Sequence, residues 1–115
     1  TDSRGNPNYR YGERLIMWYS IVSEDVKNSL ELRLKARPAH LERLIALKEK
    51  GRLLVAGPQP SIDNQEPGEA GFSGSIIIAE FDNLQDAEYW AGDDPYVTAG
   101  VYSAVTVKPF KKVLP

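Results

Sequence analysis

The sequence predicts one α+β domain with its elements in the order β-α-β-β-α-β. Three observations carry this. Four short runs, at residues 15–22, 53–56, 74–81 and 103–110, are apolar or alternate apolar with polar residues, as strands do. Helical stripes lie between the first and second runs and between the third and fourth. Gly, Pro, Asn and Asp mark the junctions. The 115 residues suit a single domain with a core large enough to need no staples.

Taken in order, residues 1–14 hold Gly5, Pro7 and Gly12 with no apolar period. They read as a flexible N-terminal arm or a non-native remnant, with Tyr9 and Tyr11 open to dimer contacts. Residues 15–115 are the domain. The first strand, 15–22, is ended by Ser23, Glu24 and Asp25. Asn28 or Ser29 can cap a short helix at 30–35. Pro38 then suits the first position of a longer helix, where its missing N–H is harmless. That helix carries Leu41, Leu44, Ile45 and Leu47 and ends at Gly51, a residue apt for the C′ position. After the strand 53–56 comes a long connection, 57–73, rich in Pro and Gly, and loops of that length are often functional. Residues 74–81 form the third strand. Asp82 with Gln85 resembles a capping box for a helix at 84–91. Asp94-Pro95 can start a short turn, and 103–110 is the last strand.

This order is the ferredoxin-like split unit. Two helices cover only one face of a four-stranded sheet, yet both faces read as apolar. Leu15, Met17, Tyr19 and Ile21 oppose Ile16, Trp18 and Val22, and Ile76 and Ile78 oppose Ile77, Ala79 and Phe81. A bare apolar face of this size implies a homodimer packed sheet against sheet. The competing reading folds the arm or the long connection over that face.

Composition narrows the function. A net charge of -2 gives no footprint for nucleic acid and no attraction to anionic lipid. With no cysteine, disulfides, thiolate zinc sites and cysteine nucleophiles are excluded, and a reducing, cytoplasmic setting is expected. No apolar run approaches the roughly 20 residues that span a bilayer, and no signal-peptide pattern is visible in the polar N-terminal residues. Phosphate loops, dinucleotide fingerprints and nucleophile elbows are absent. A magnesium site from Asp63, Asp93 and Asp94 is chemically open, but no spacing demands it.

His40 is the single histidine. Imidazole is the side chain suited to proton transfer near neutrality. His40 shares a helix face with Leu44 and Leu47, so it points toward the sheet; the competing reading is a packed histidine bonded to a carbonyl. Asp94 before Pro95 is good N-cap chemistry, or else a carboxylate that orients the imidazole. Arg37, three residues before His40, would form an anion site at the helix start. Pro58, Ser61 and Asp63 follow the second strand and are candidate binding groups on a loop, as is Ser75 on the third strand. Ordinary turn roles compete for each. Tyr89, Trp90, Tyr96 and Tyr102 read as core or interface aromatics that could line a pocket.

Five segments stand out along the chain: Arg37-Pro38-Ala39-His40-Leu41, then Gly51-Arg52-Leu53-Leu54-Val55-Ala56-Gly57-Pro58, then Gly71-Phe72-Ser73-Gly74-Ser75. Asp93-Asp94-Pro95-Tyr96-Val97 with Ala99-Gly100-Val101-Tyr102, and Val107-Lys108-Pro109-Phe110-Lys111, complete them. In this order the set resembles the YCII-like family over residues 15–114. The resemblance implies a dimeric α+β barrel of ferredoxin-like subunits, with His40 and Asp94 as a catalytic pair in a cleft. It implies no cofactor. One related member resembles a dehydrochlorinase acting on a chlorinated hydroxyquinol, and the wider superfamily includes muconolactone isomerases and cofactor-free monooxygenases. Three readings follow: a lyase or isomerase doing acid–base chemistry on a small cyclic or anionic molecule, a binding module for an unknown small-molecule ligand, and a structural dimer with a partner on the long connection.

Overall fold

The computed structural model describes residues 17–115, together with the backbone of residues 10, 11, 14 and 15. Arg10–Tyr11 (β1) pairs antiparallel with Arg14–Leu15 (β2). The rest of the 1–14 segment, and the side chains of Leu15 and Ile16, lie outside the described residues. The domain then runs Met17–Asp25 (β3), Leu30–Glu49 (α1), Leu53–Pro60 (β4), Phe72–Phe81 (β5), Leu84–Gly92 (α2), Pro95–Thr98 (α3) and Tyr102–Phe110 (β6). The four long strands form one antiparallel sheet in the order β4-β5-β3-β6. This is the ferredoxin-like α+β arrangement, since β5 lies between the two strands that α1 connects.

Alternation along the strands sets the layers. Tyr19, Ile21 and Ser23 of β3 and Ser75, Ile77, Ala79 and Phe81 of β5 are buried. Leu44 and Leu47 of α1 and Ala87 and Ala91 of α2 pack onto the Tyr19–Phe81 layer. The opposite face carries the register pairs Val22↔Ile76 and Ser20↔Ile78. Val22 and Val55 there are well exposed, while Ile76 and Ile78 are half-buried. Among the described residues no helix is long and apolar enough to cross a membrane.

Four expectations are corrected. Pro38 lies inside α1 and does not start a second helix. Its side chain is exposed, so the lost N–H bond falls on the solvent side while the buried stripe Arg33, His40, Leu44 and Leu47 runs unbroken beneath. The helix ends as expected, with Gly51 at φ 71°. Arg52 N–H donates to Leu47 O and Gly51 N–H to Lys48 O, a Schellman closure. The cap of α2 is Asn83, not Asp82: its side chain accepts from Asp86 N–H at 2.8 Å. Ser29 holds the N-cap position of α1, but its hydroxyl donates to Asp25 and leaves the helix amides alone. Finally, Gly57 and Pro58 belong to β4. A proline fits there because β4 is an edge strand.

Gly74 sits where β5 crosses closest to β3. A Cβ on it would strike the carbonyl oxygen of Ser23, a backbone atom that cannot swing away. Gly74→Ala should therefore destabilise the fold by at least about 2 kcal/mol, read as a lower urea midpoint at unchanged slope. An unaltered midpoint would contradict this account of the β3–β5 approach.

Candidate active site

The continuous α1 turns one stripe of side chains toward the sheet, spaced three and four apart: Arg33, Arg37, His40 and Leu44. Between this stripe and the Ala56–Pro58 stretch of β4 opens a cavity of about 300 Å³. Phe72, Ser75 and Ile77 of β5 and Tyr96 of α3 complete its polar and aromatic walls.

Asp94 reaches this cavity's wall from the start of α3. Its φ of -62° and ψ of 133° are those of an N-cap, and Pro95 follows. Oδ1 accepts from Tyr96 N–H at 2.8 Å, which is the capping bond. The same carboxylate meets His40 Nδ1 at 2.8 Å through Oδ1 and 2.9 Å through Oδ2. The capping and orienting readings of Asp94 thus describe one group with two jobs. Both residues are buried. A carboxylate at Nδ1 fixes the tautomer with the proton on Nδ1 and leaves Nε2 as the acceptor. No hydrogen bond among the described residues takes Nε2, and His40 lines the cavity. The imidazole stacks on Tyr96, with centroids 3.9 Å apart and planes at 8°. The ring is held by a carboxylate at one edge and an aromatic face below.

The other predicted positions divide. Arg37, Pro58 and Ser75 line the cavity. Ser61 and Asp63 do not; they lie in the 61–71 connection, where Ser61 borders a separate groove with Glu69 and Phe72. Arg37 does not sit at a helix start, because α1 begins at Leu30. It has no free amide N–H groups beside it, so only its guanidinium could serve an anion. Among the described residues no three His, Cys, Asp or Glu side chains group as metal ligands, so Asp63, Asp93 and Asp94 do not converge.

Two arginines here were not singled out by the sequence. Arg33 is 5% exposed and forms a fork on Asp25: Nε to Oδ2 at 2.6 Å and Nη2 to Oδ1 at 2.9 Å. Burial works against its charge, but the Asp25 hydrogen bond and charge outweigh it and hold the guanidinium above its usual range. Arg43 lies 4.3 Å over the Trp90 ring and donates to Trp90 O at 2.7 Å, with Nη1 3.9 Å from Asp94 Oδ2. The helical spacing of Arg33, Arg37 and His40 is a signal that a continuous helix would have exposed.

Tyr102 stands edge-on to Tyr96. Burial pushes its phenol up to about 12, with the Asp94 charge adding to the rise and Ser75, the Arg33 charge and Ser23 opposing it. Neither serine has the geometry of a formed bond to the hydroxyl, which is buried and unpartnered among the described residues. The neutral phenol is the form the fold favours. Its contribution is intact below the unfolded value of 10.0 and is lost as pH rises toward about 12. Tyr102→Phe should raise the midpoint of alkaline unfolding, with the remaining loss left to Tyr19 and Tyr96, whose phenols burial also raises. An unmoved alkaline midpoint would contradict this.

Fold and site together define a class: a ferredoxin-like α+β subunit whose helix–sheet cleft is walled by an aspartate-held histidine. The chain belongs to the YCII-related domain family, whose model matches residues 17–111. It is 59% identical over 97 residues to Protein YciI of Escherichia coli, covering 84% of this chain and 99% of that protein. An uncharacterized protein of Haemophilus influenzae is 58% identical over the same length and coverage. Among solved structures, the chain is similar to 5-chloro-2-hydroxyhydroquinone dehydrochlorinase (TftG) of Burkholderia phenoliruptrix, in complex with 2,5-dihydroxybenzoquinone. The TM-score is 0.72 at 27% identity, covering 83% of this chain and 94% of that one.

Proposed function

We propose that this protein is a lyase or isomerase that moves a proton on a small cyclic or anionic metabolite, with His40 as general base and then acid. The observation that carries this is the Asp94 carboxylate 2.8 Å from His40 Nδ1, in a histidine that lines the cavity and whose Nε2 has no hydrogen bond among the described residues. The imidazole takes a proton from carbon or hydroxyl onto Nε2, and the electron pair left behind moves into the substrate's π system. In an isomerisation the proton returns at another atom; in an elimination a leaving group departs with its pair. Neither step moves electrons to or from a redox cofactor. Asp94 stabilises the imidazolium that forms, and Arg37 stands at the cavity as a counter-charge. The similarity to a dehydrochlorinase supports elimination from a halogenated hydroxylated ring as the first reaction to assay. The test is a screen of purified protein against halogenated phenols and cyclic hydroxy acids, following chloride release and ring absorbance. Turnover that needs His40 supports the reading. A ligand bound and recovered unchanged, with no turnover across the screen, favours a binding module.

We propose further that the protein is a homodimer. Val22 and Ile76 are register partners on the sheet face away from the helices, beside Ile78 and Val55, and a closed two-fold packing would bury that patch. Sedimentation should show a dimer, and Val22→Glu with Ile76→Glu should give a folded monomer. A monomeric parent protein would rule this assembly out.

A further inference from the structure

The cavity's charge runs opposite to the chain's. Overall the protein carries a net charge of -2, yet among the described residues two arginines and a histidine line the cavity and no carboxylate does. Of the two arginines, Arg37 is exposed and Arg33 is enclosed. A guanidinium is this buried only when it is paired, and Arg33 is paired on one side. Nε is taken by Asp25, and Nη2 is shared among Asp25 Oδ1 at 2.9 Å, Gly74 O at 2.8 Å and Ser75 Oγ at 2.9 Å. No hydrogen bond among the described residues takes Nη1. Nor is Nη1 among the fully buried unpartnered atoms. Among the described residues Nη1 is therefore left with open space beside it, and the cavity is a space that Arg33 lines. The fork on Asp25 fixes the plane of the guanidinium, so its two remaining N–H donors have a set direction. Phe72 and Tyr96 flank it, with ring centroids 5.3 and 5.1 Å from the guanidinium carbon.

We infer that Arg33 Nη1 is the anion subsite of this cavity, and that the ligand is a planar, single-ring anion: a ring carboxylate or an acidic hydroxyquinone. The inference rests on the reading of this cavity as the substrate site. About 300 Å³ is room for one ring with its substituents, since a cavity of roughly half that volume holds benzene. The walls suit a flat apolar ring: Phe72, Tyr96, Leu44 and Ile77. The ligand's oxyanion sits on Arg33, and the proton to be moved faces His40 Nε2. Tyr96 links the two heads, stacking on His40 and lying beside Arg33. As Nε2 takes the proton, the electron pair it leaves collects on the oxygen held by Nη1–H, where a preorganised donor is worth most. Asp25 is a positioning residue that acts through Arg33, as Asp94 acts through His40.

The experiment is titration calorimetry with two anionic probes, 2,5-dihydroxybenzoquinone and benzoate, and one neutral probe, hydroquinone. The variants are Arg33→Lys, Arg37→Met and His40→Asn. Arg33→Lys keeps a positive charge for Asp25 but loses the second guanidinium nitrogen. It should weaken the anions by about tenfold or more, the scale of one charged hydrogen bond, and leave hydroquinone unchanged. Arg37→Met should cost about threefold and less at high salt, because its charge is exposed. His40→Asn removes the ring that the ligand's proton faces and should weaken the anions less than Arg33→Lys does. Should Arg33→Lys fail to fold, guanidinium NMR on the parent protein replaces it: the Arg33 Nη signals should shift with benzoate and not with hydroquinone. Equal binding of hydroquinone and the anions, undiminished binding by Arg33→Lys, unmoved Arg33 signals, or no binding of either anion overturns the subsite. Anion binding through Arg33 without turnover would sink the enzyme reading and leave the subsite standing.

Discussion

His40→Asn is expected to lower turnover by about 10²–10⁴-fold, the range that a positioned general base contributes, and to leave the fold intact. The choice of asparagine follows from the geometry. Removing the imidazole altogether with His40→Ala strips Asp94 of a partner at 2.8 Å and Tyr96 of a ring stacked at 3.9 Å. Asp94 would keep only Tyr96 N–H and the distant Arg43 guanidinium at 3.9 Å. A buried carboxylate left short of partners costs about 1–3 kcal/mol or more, so lost activity could reflect a loosened α3. An asparagine amide can still donate to Asp94, so the carboxylate keeps a partner although the stack on Tyr96 goes with the ring; for the chemistry, what is removed is Nε2. The loss should fall on kcat with KM nearly unchanged, because the base acts in the chemical step. Asp94→Asn is the companion. It keeps an oxygen to cap Tyr96 N–H but gives up the charge that stabilises an imidazolium, so its activity should lie between parent and His40→Asn. Full activity in His40→Asn would end the proposed mechanism.

The largest effect on stability is expected at Arg33. With side chains 6% and 1% exposed, Arg33 and Asp25 form a buried ion pair. Breaking such a pair by removing one partner costs about 3–5 kcal/mol, because the other charge is stranded. Arg33→Met should therefore lower stability by that amount. For a domain of this size each kcal/mol lowers Tm by roughly 4–8 °C, so the shift should exceed about 10 °C. Salt should rescue little, since buried pairs are weakly screened. The double variant Arg33→Met with Asp25→Leu should regain much of the loss, because no lone charge remains. A single variant as stable as the parent would mean that solvent reaches Asp25, and that the fork does not fix Arg33 in place.

Much of the fold was legible because period and burial agree. β3 and β5 alternate, and the helix-facing residues Tyr19, Ile21, Ile77 and Ala79 are the buried ones. Gly51 ends α1 as its left-handed φ requires. The main misreading was Pro38. Proline predicts a helix start from local chemistry, and here tertiary packing overrode it: the buried stripe from Arg33 to Leu47 holds the helix together while the proline faces solvent. That single error hid Arg33, since a broken helix gives no reason to place it with Arg37 and His40. It also put Arg37 at a helix terminus that does not exist. Ser61 and Asp63 read as binding groups on a loop because the apolar run of the second strand ends at Ala56; β4 continues to Pro60, and neither residue lines the cavity. The approach of Asp94 to His40 has no sequence rule behind it. The two are 54 residues apart and meet through the stacking of α3 on α1. Residue pattern alone offers the pairing as one of two readings of Asp94, the other being a helix cap, and the family resemblance is what favours it.

The account turns on an imidazole whose Nδ1–H is spent on Asp94 and whose Nε2 faces the cavity. Long-range proton–nitrogen NMR of the lone histidine reads both nitrogens directly. The expected spectrum of the neutral ring shows the proton on Nδ1, bare Nε2, and an Nε2 signal that moves when 2,5-dihydroxybenzoquinone is added. A neutral ring protonated at Nε2, or an Nε2 signal indifferent to the quinone while the quinone binds, would contradict it.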